Sequence, residues 1–222
     1  MARKTYHHGD LRAALITAGM DILRRQGADA VTLRTVVRQA GVSPAAAYRH
    51  FTGASALLSA IAEQGFNALK SAMVAALTDP ALVDLSPLER IGQGYVQFAD
   101  SHPDHFRLIF SARIPAGERT TGLTEAGCAA FEVLIQAIEE SRALGHVNAS
   151  LPTPLIAAVA HSFIHGLSVL LLDQHFDAKA LGYAGSADFA RACQAVFKQG
   201  WGTPAGRMSS PKPQPRKKRH TV

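Results

Sequence analysis

The segment 32–51 restricts the possible folds of this chain more than any other stretch. Its apolar spacing predicts a short helix over Leu33–Ala40, which Gly41 is suited to end because glycine adopts a left-handed backbone without strain. Ser43 can then cap a second helix, predicted over Pro44–Phe51, whose opening proline stands where its missing N–H costs no helical hydrogen bond. Two short helices joined by so tight a turn predict a helix-turn-helix.

The rest of the chain is also predicted to be helical. Apolar residues in the first helix, predicted over Asp10–Gln26, recur at steps of three and four and so form one stripe. No stretch sustains the alternation that a half-buried strand requires. Further helices are expected over Ser55–Leu77, Pro87–Ser101, Pro103–Phe110, Thr124–Ala143, Pro154–Asp173 and Ser186–Gly200. The predicted fold class is all-α, with an N-terminal three-helix bundle containing the helix-turn-helix, followed by a larger helical domain.

Composition divides the chain into three parts. Residues 1–54 form the predicted helix-turn-helix head, and residues 55–202 form a larger helical body whose first helix bridges from the head. Residues 203–222 are rich in proline, serine, lysine and arginine and contain too few apolar side chains to pack. This basic tail is therefore predicted to be disordered.

The formal net charge of +6 is distributed unevenly along the 222 residues. Residues 1–53 hold eight Lys or Arg against three Asp, residues 54–206 hold nine basic against fourteen acidic side chains, and residues 207–222 hold six basic and no acidic ones. A polyanion such as nucleic acid is attracted to the two ends and repelled by the middle. The tail is either a solvated segment or a flexible arm that adds salt-sensitive affinity for DNA.

No catalytic grouping is visible, so the chain is not expected to be an enzyme. His161 and His165 are four residues apart on a predicted helix, a spacing that can bind a metal ion, but no carboxylate lies nearby in sequence. They are better interpreted as histidines of a pocket or of the core. Cys128 and Cys193 lie far apart among alanines and are expected to be free thiols. Neither a metal nor a cofactor is expected.

The chain is expected to be cytoplasmic, with no membrane partner. Charged residues follow the N-terminus where a secretion signal needs apolar ones. The most apolar stretch, Leu155–Leu172, contains two histidines and two serines and is expected to be too short and too polar for a membrane span. A helix that is apolar on nearly all sides is predicted instead to be buried on several sides.

Several segments together resemble the TetR-type repressors. In the head they are Leu33–Val37, Ala40-Gly41-Val42-Ser43, and Tyr48-Arg49-His50-Phe51 followed by Leu57-Leu58. The leading Tyr6–Arg12 also resembles the start of many members. In the body, His102–Phe110 and Phe163–Leu167 resemble a subfamily whose C-terminal domain carries a Trp and then a His-Gly pair, although here Phe163 is the aromatic residue nearest the Trp position.

The resemblance implies DNA-binding roles for nine residues of the head. Base edges in the major groove would be met by Ser43, Pro44, Ala45 and Ala46. Phosphates would be contacted by Tyr48 and His50, a phosphate or a base by Arg49, and the DNA backbone by Thr32 and Arg34. Ala47 and Phe51 would point into the core of the head.

One position departs from the family pattern. Members usually place a Lys at the N-terminus of the helix that follows the recognition helix, where this chain has Ala54. The loss of one phosphate contact lowers the expected non-specific affinity. Because alanine can read thymine methyl groups but not guanine edges, specificity is expected to depend on Arg34, Arg49, the N-terminal arm or DNA shape.

For the body, the resemblance implies a homodimer joined through the last two helices, two heads on a palindromic operator, and a small-molecule effector. Gly166 is expected to let another helix approach closely. The candidate ligand contacts, which favour a largely apolar molecule with a polar group, are Phe98, Phe106, Phe110, Phe131, His161 and His165. The predicted function is a ligand-responsive repressor, with activation left open. The alternatives are a small-molecule-binding protein with a vestigial helix-turn-helix and an all-helical enzyme.

Overall fold

The computed structural model describes residues 8–199, and all regular structure in that range is helical, as predicted. The tail predicted for 203–222 and the N-terminal arm before His8 lie outside the described residues. The nine helices of the described range are α1 (His8–Gln26), α2 (Leu33–Ala40), α3 (Pro44–Tyr48), α4 (Ala54–Leu77), α5 (Pro87–Ser101), α6 (Pro103–Ile109), α7 (Thr121–Ala143), α8 (Thr153–Leu172) and α9 (Ser186–Gln199).

Most helix boundaries lie within two residues of the prediction, and two differ by three residues for identifiable reasons. Helix α3 ends at Tyr48, three residues early, because the N–H groups of His50 and Phe51 both turn back to the carbonyl oxygen of Ala47. Helix α7 begins three residues before the predicted start, since the Thr120 hydroxyl accepts a hydrogen bond of 3.3 Å from the Leu123 N–H and caps it there.

Side-chain caps fix the ends of the two short helices. The Thr32 and Thr35 side chains exchange hydrogen bonds with each other's backbone N–H groups at 3.0 and 3.1 Å, which caps α2. Gly41 ends α2 with φ of 66°, a conformation that disfavours other residues. Ser43 accepts a hydrogen bond of 3.3 Å from the Ala46 N–H and caps α3. The turn geometry follows from these local signals.

The core of the head is filled and continues beyond it. Val36, Phe51 and Leu57 are buried between α1, α2 and the first half of α4. Leu108 of α6 and Leu123 of α7 complete the same cluster. Because α4 belongs to this core and to that of the body, the head rests on the body through packed side chains.

In the body, α4, α5 and α7 pack together, and α8 and α9 lie against them on the outside. Helices α4 and α5 approach so closely that a Cβ at Gly94 would lie 2.5 Å from the Ala72 carbonyl oxygen. The expected close approach at Gly166 is not made within this chain, since a Cβ there would meet nothing within 4 Å among the described residues.

The expectation that α8 is too short and too polar for a membrane span is wrong by length and composition. The helix has 20 residues and reaches a mean hydropathy of 2.0, enough for a span, because its polar residues are only threonine, histidine and serine and none is Asp, Glu, Lys or Arg. A helix of a soluble protein passes the same test, and α8 packs against α5 and α7. Only part of α8 is buried, whereas burial on several sides was predicted.

Candidate functional site

The first candidate site is the exposed side of the helix-turn-helix. Ser43, Pro44 and Ala45 are exposed at the start of α3, while Ala46 is half-buried. Ala47 is fully buried beneath them, so the side that meets solvent carries only small side chains. A helix end without bulky side chains can approach the floor of a DNA groove closely.

Aromatic and basic side chains surround this small surface. Tyr48 is 60% exposed and Arg49 is exposed, whereas His50 is half-buried. At the start of α2, Thr32 and Arg34 are exposed as well. Residues 30–62 contain no acidic side chain, so the positive charge of this surface is not compensated locally. Such a surface attracts phosphate groups.

The position where a lysine was expected lies at the start of α4. Ala54 is half-buried, and Gly53 before it provides no side-chain cap. The first N–H groups of α4 therefore lack a capping side chain at the end of the helix that carries partial positive charge. They are suited to donate hydrogen bonds to a phosphate group even though Ala54 supplies no ammonium group.

The second candidate site is a cavity of about 670 Å³ inside the body. Helices α4, α5, α7, α8 and α9 all contribute to its wall, which is mostly apolar. Among the six predicted ligand contacts, Phe110, Phe131 and His161 line it. Phe98 and Phe106 are instead buried in the core, and His165 lies behind His161 and outside the wall.

Rings form one end of the cavity. Phe110 lies 6.1 Å from Phe66, 6.0 Å from Tyr95 and 5.7 Å from His161 between ring centroids. His161 stacks on His165 at 5.6 Å with 11° between the ring planes, and the Tyr95 hydroxyl is 2.9 Å from His165 Nδ1. Burial lowers the pKa of both histidines and raises that of Tyr95, so all three groups are uncharged at neutral pH.

A charged pair borders the cavity nearer the N-terminus of α5. Lys198 Nζ donates to Glu89 Oε2 at 3.1 Å, and the Ser86 backbone N–H donates to the same oxygen at 3.0 Å. Burial alone would raise the pKa of Glu89, but the hydrogen bonds from Ser86 and Lys198 outweigh it and lower the pKa. The two charges compensate each other within the pair.

Sequence reasoning missed several lining residues, including Phe66, Met73, Tyr95, Glu89, Gln194 and Lys198. Each lies on an amphipathic helix, where a side chain facing a cavity has the same spacing as one facing a filled core. Among the described residues, no group of three or more His, Cys, Asp or Glu could hold a metal ion.

Polar contacts join the head to the segment around α6. Arg24 of α1 lies 3.6 Å from the Asp104 carboxylate of α6. Both terminal nitrogens of Arg113 contact the Asp29 carboxylate of the head. At its other end α6 leads to Phe110, which lines the cavity. The α6 segment therefore contacts the head at one side and reaches the cavity of the body at the other.

Exposed apolar side chains continue from the rim of this cavity along α8 and α9 as a stripe. It consists of Leu155, Val159 and Phe197, which also line the cavity, and of Leu170 and Val196 beyond it. Phe197 stacks on Phe163 of α8 at 4.4 Å and 21°, which holds the two helices side by side. Exposed apolar patches of this kind mark interaction surfaces.

Two family models match the chain. Residues 15–61 match the model described as bacterial regulatory proteins of the tetR family. Residues 88–212 match the model described as the tetracyclin repressor-like C-terminal domain. Together they cover the helix-turn-helix and most of the body.

Solved structures resemble the chain over most of its length. A protein of unknown function from Rhodococcus sp. RHA1 is 28% identical, with a TM-score of 0.70 over 89% of this chain and 98% of that one. The fatty acid degradation regulator FadR from Bacillus halodurans has a TM-score of 0.66 at 11% identity, over 90% and 98%. A putative tetR family transcription regulator from Shewanella sp. PV-4 has a TM-score of 0.63 at 17% identity, over 82% and 94%. A comparison with curated protein sequences gives no match.

Proposed function

The chain belongs to the TetR family of DNA-binding transcriptional regulators, and we propose that it is a homodimeric repressor released from its operator by a small apolar molecule. The family resemblance of the sequence is thereby confirmed, whereas the roles of individual residues remain predictions. A repressor acts where the chromosome is, so the proposed location is the cytoplasm.

The observation that carries the proposal is the exposed surface of the helix-turn-helix, which is basic and contains no Asp or Glu. Ser43, Pro44 and Ala45 leave room for a base edge, while Arg34 and Arg49 are exposed beside them. We assign phosphate contacts to Tyr48 and His50, and sequence reading to Arg49 together with the small residues of α3. In a helix-turn-helix that no longer binds DNA, an exposed basic surface without acidic side chains is not expected.

The apolar stripe on α8 and α9 supports a dimer. Leu155, Val159 and Gly166 fall on one side of α8, and the empty space around Gly166 leaves room for a second helix. A second copy related by a twofold axis would bring the same stripe against it. Two heads held in this way match a palindromic operator with half-sites about one helical turn, or a multiple of it, apart.

The α6 segment offers a route from the cavity to the head. Phe110 lines the cavity, and Arg24, Asp29, Asp104 and Arg113 join this segment to the head. A ligand that shifts Phe110 would move these contacts and change the separation of the two heads. Repression would then be lost through a population shift toward spacings that do not fit the operator.

Selection of random duplex DNA by the full-length protein tests the proposal. We expect a palindromic consensus that is bound by a dimer. Tyr48→Ala and Arg49→Ala should each weaken binding to it about 5- to 100-fold, the effect of losing a contact worth about 1–3 kcal/mol.

Lys179→Ala is the control, because Lys179 is an exposed cation of the body, away from the helix-turn-helix. Its affinity for the consensus should stay within twofold of the unmodified protein. Binding without sequence preference that disappears with added salt would reject the regulator and favour a small-molecule-binding protein with a vestigial helix-turn-helix.

A further inference from the structure

The cavity of the body restricts the chemistry of its ligand. We propose that it takes an uncharged molecule whose flat aromatic or conjugated part lies against the rings of Phe66, Tyr95, Phe110 and His161 and whose single hydrogen-bonding atom meets His161. The inference rests on the proposed function, because it deepens the role of the effector cavity. It follows from the shape, the unused hydrogen bonding and the charge of the wall.

The ring wall favours a flat partner. Tyr95 meets His161 at 5.8 Å between centroids and an angle of 89°, and Phe66 meets Phe110 at 6.1 Å and 79°. Tyr95 is only 3% exposed and His161 is stacked on His165, but all four rings contribute to the cavity wall, where a further ring gains contact energy against a face or an edge. A volume of about 670 Å³ is in the range of cavities that hold drug-sized ligands.

His161 supplies the one unused hydrogen-bonding group at this end. His165 Nδ1 is already paired with the Tyr95 hydroxyl. Within the described part of the chain, the ring nitrogens of His161 have no hydrogen-bond partner, and His161 contacts its neighbours only through ring faces and edges. His161 is half-buried and its nitrogens are not among the fully buried polar atoms, so water can reach them in the cavity. A ligand that displaces this water has to supply the same hydrogen bond, which favours one hydrogen-bonding atom opposite His161.

The charges around the cavity argue against an ionic ligand. Among the described residues, the wall contains one carboxylate, Glu89, and one lysine, Lys198, and they pair with each other at 3.1 Å. His146 also lines the cavity, at an exposed position. Tyr95 lies six residues, roughly 9 Å, along α5 from Glu89. An anion or a cation against the rings would lose its hydration without meeting an opposite charge, which is costly in an apolar site.

Matched fluorescent probes test the proposal on the full-length protein. N-phenyl-1-naphthylamine is uncharged and carries one N–H group, and 8-anilinonaphthalene-1-sulfonate has the same skeleton with an added sulfonate. Diphenylhexatriene is a hydrocarbon, and its trimethylammonium derivative is a cation. In fluorescence titrations we expect each uncharged probe to bind at least tenfold more tightly than its charged counterpart.

Two variants assign the binding to the cavity. His161→Phe keeps a flat ring but removes its nitrogens, so it should weaken N-phenyl-1-naphthylamine about 3- to 10-fold and leave diphenylhexatriene unchanged. His175→Phe, at an exposed position outside the cavity wall, should change neither. Ala160→Trp, which fills the cavity from α8, should abolish binding of both uncharged probes, with a melting curve to verify its fold.

Three results would overturn the inference. Equal or tighter binding of the sulfonate would mean an anionic ligand, and tighter binding of the trimethylammonium probe would mean a cationic one. Absence of binding by every probe would show that the cavity does not take flat apolar molecules. None of these results affects the selection of operator DNA, so the inference can fail while the proposed regulator stands.

Discussion

The head and the body of this protein solve the problem of burying apolar side chains in different ways. In the head, Val36, Phe51 and Leu57 fill a core with side chains of the same chain. The body instead keeps a cavity of about 670 Å³ that is open on one side, and an apolar stripe on α8 and α9 that continues from its rim and is exposed to solvent. The head is therefore complete as one chain, whereas the body has surface that other molecules can cover.

This difference matches the demands of the two proposed functions, DNA binding by the head and binding of a ligand and a second copy by the body. DNA is bound by a fixed arrangement of short side chains on rigid helices, which a filled core and side-chain caps maintain. A ligand and a second copy each need apolar surface that is available before they bind, and its burial on binding stabilises the complex. The four predictions below test the contrast, beginning with the largest expected effect.

The largest effect is expected where the core is filled. Phe51 is 3% exposed in the head, and Phe51→Ala should lower the free energy of unfolding by about 3–5 kcal/mol, because its removal leaves a void. Phe131 lines the cavity and is 51% exposed, so Phe131→Ala should cost less than about 1 kcal/mol. Urea unfolding of the two variants measures both. Equal losses would contradict the contrast between a filled head and an open body.

A second pair of substitutions compares two glycines of the body. Gly94→Ala should lower the free energy of unfolding by about 1–3 kcal/mol, since its Cβ would collide with the backbone at Ala72. Gly166→Ala meets nothing in the same chain and should be neutral or stabilising by up to about 1 kcal/mol through helix propensity. Thermal unfolding at low protein concentration compares them. In the proposed dimer a second helix lies near Gly166, so a loss for Gly166→Ala is expected only at higher protein concentration, where the dimer forms. A loss comparable to that of Gly94→Ala at low concentration would contradict the empty space around Gly166 within the chain.

The free energy of unfolding should decrease in acid because of buried histidines in the body. Burial lowers the pKa of His105, His161 and His165 in the folded state. At a pH between the lower pKa of the folded state and the unfolded-state pKa of about 6.5, the unfolded chain binds more protons than the folded one. These histidines therefore contribute fully to the free energy of unfolding above about pH 6.5, and the contribution is lost as the pH falls through the folded-state pKa values. The free energy of unfolding should therefore be lower at pH 5.5 than at pH 7.5.

His161→Phe should reduce this pH dependence, and the exposed control His175→Phe should leave it unchanged. Measurements above pH 5 keep the result separate from Glu89, whose lowered pKa affects stability only below about pH 4.5. Identical pH profiles for the unmodified protein and His161→Phe would exclude a role for this ring.

The smallest effect is expected for a charge added to the head. Ala54→Lys restores the lysine usual in the family at the start of α4 and should strengthen DNA binding a few-fold. The slope of log K against log salt concentration should become steeper by about 0.9, the value for one added phosphate contact. Ala143→Lys, at the exposed end of α7, is the control of equal charge. An unchanged slope for Ala54→Lys would mean that no phosphate lies at this position.

In the head, local sequence signals were sufficient to predict three of the four ends of α2 and α3. Thr32, Gly41, Ser43 and Pro44 predicted the ends of α2 and α3 because caps and turns depend on a few neighbouring residues. The end of α3 was missed, since the turn at Tyr48 is fixed by the burial of Phe51 rather than by a breaker residue. The all-α class followed from periodicity over whole helices and is confirmed.

The candidate ligand contacts show that the sequence could not separate side chains of the core from side chains of the cavity wall. Phe98 and Phe110 have the same apolar character and similar helical surroundings, yet Phe98 is buried in the core and Phe110 lines the cavity. Glu89 and Lys198, 109 residues apart, meet only because α9 packs on α5. No local pattern encodes either outcome.

The sequence by itself determined the helices, the helix-turn-helix and the family, because these depend on residue spacing, capping chemistry and motifs that are local in the chain. Only the tertiary structure decided which apolar side chains fill the core, which line a cavity and which remain exposed for a partner. The physical reason is that periodicity specifies the side of a helix that leaves water but not what lies opposite it. That depends on how α8 and α9 pack against helices formed from distant parts of the chain.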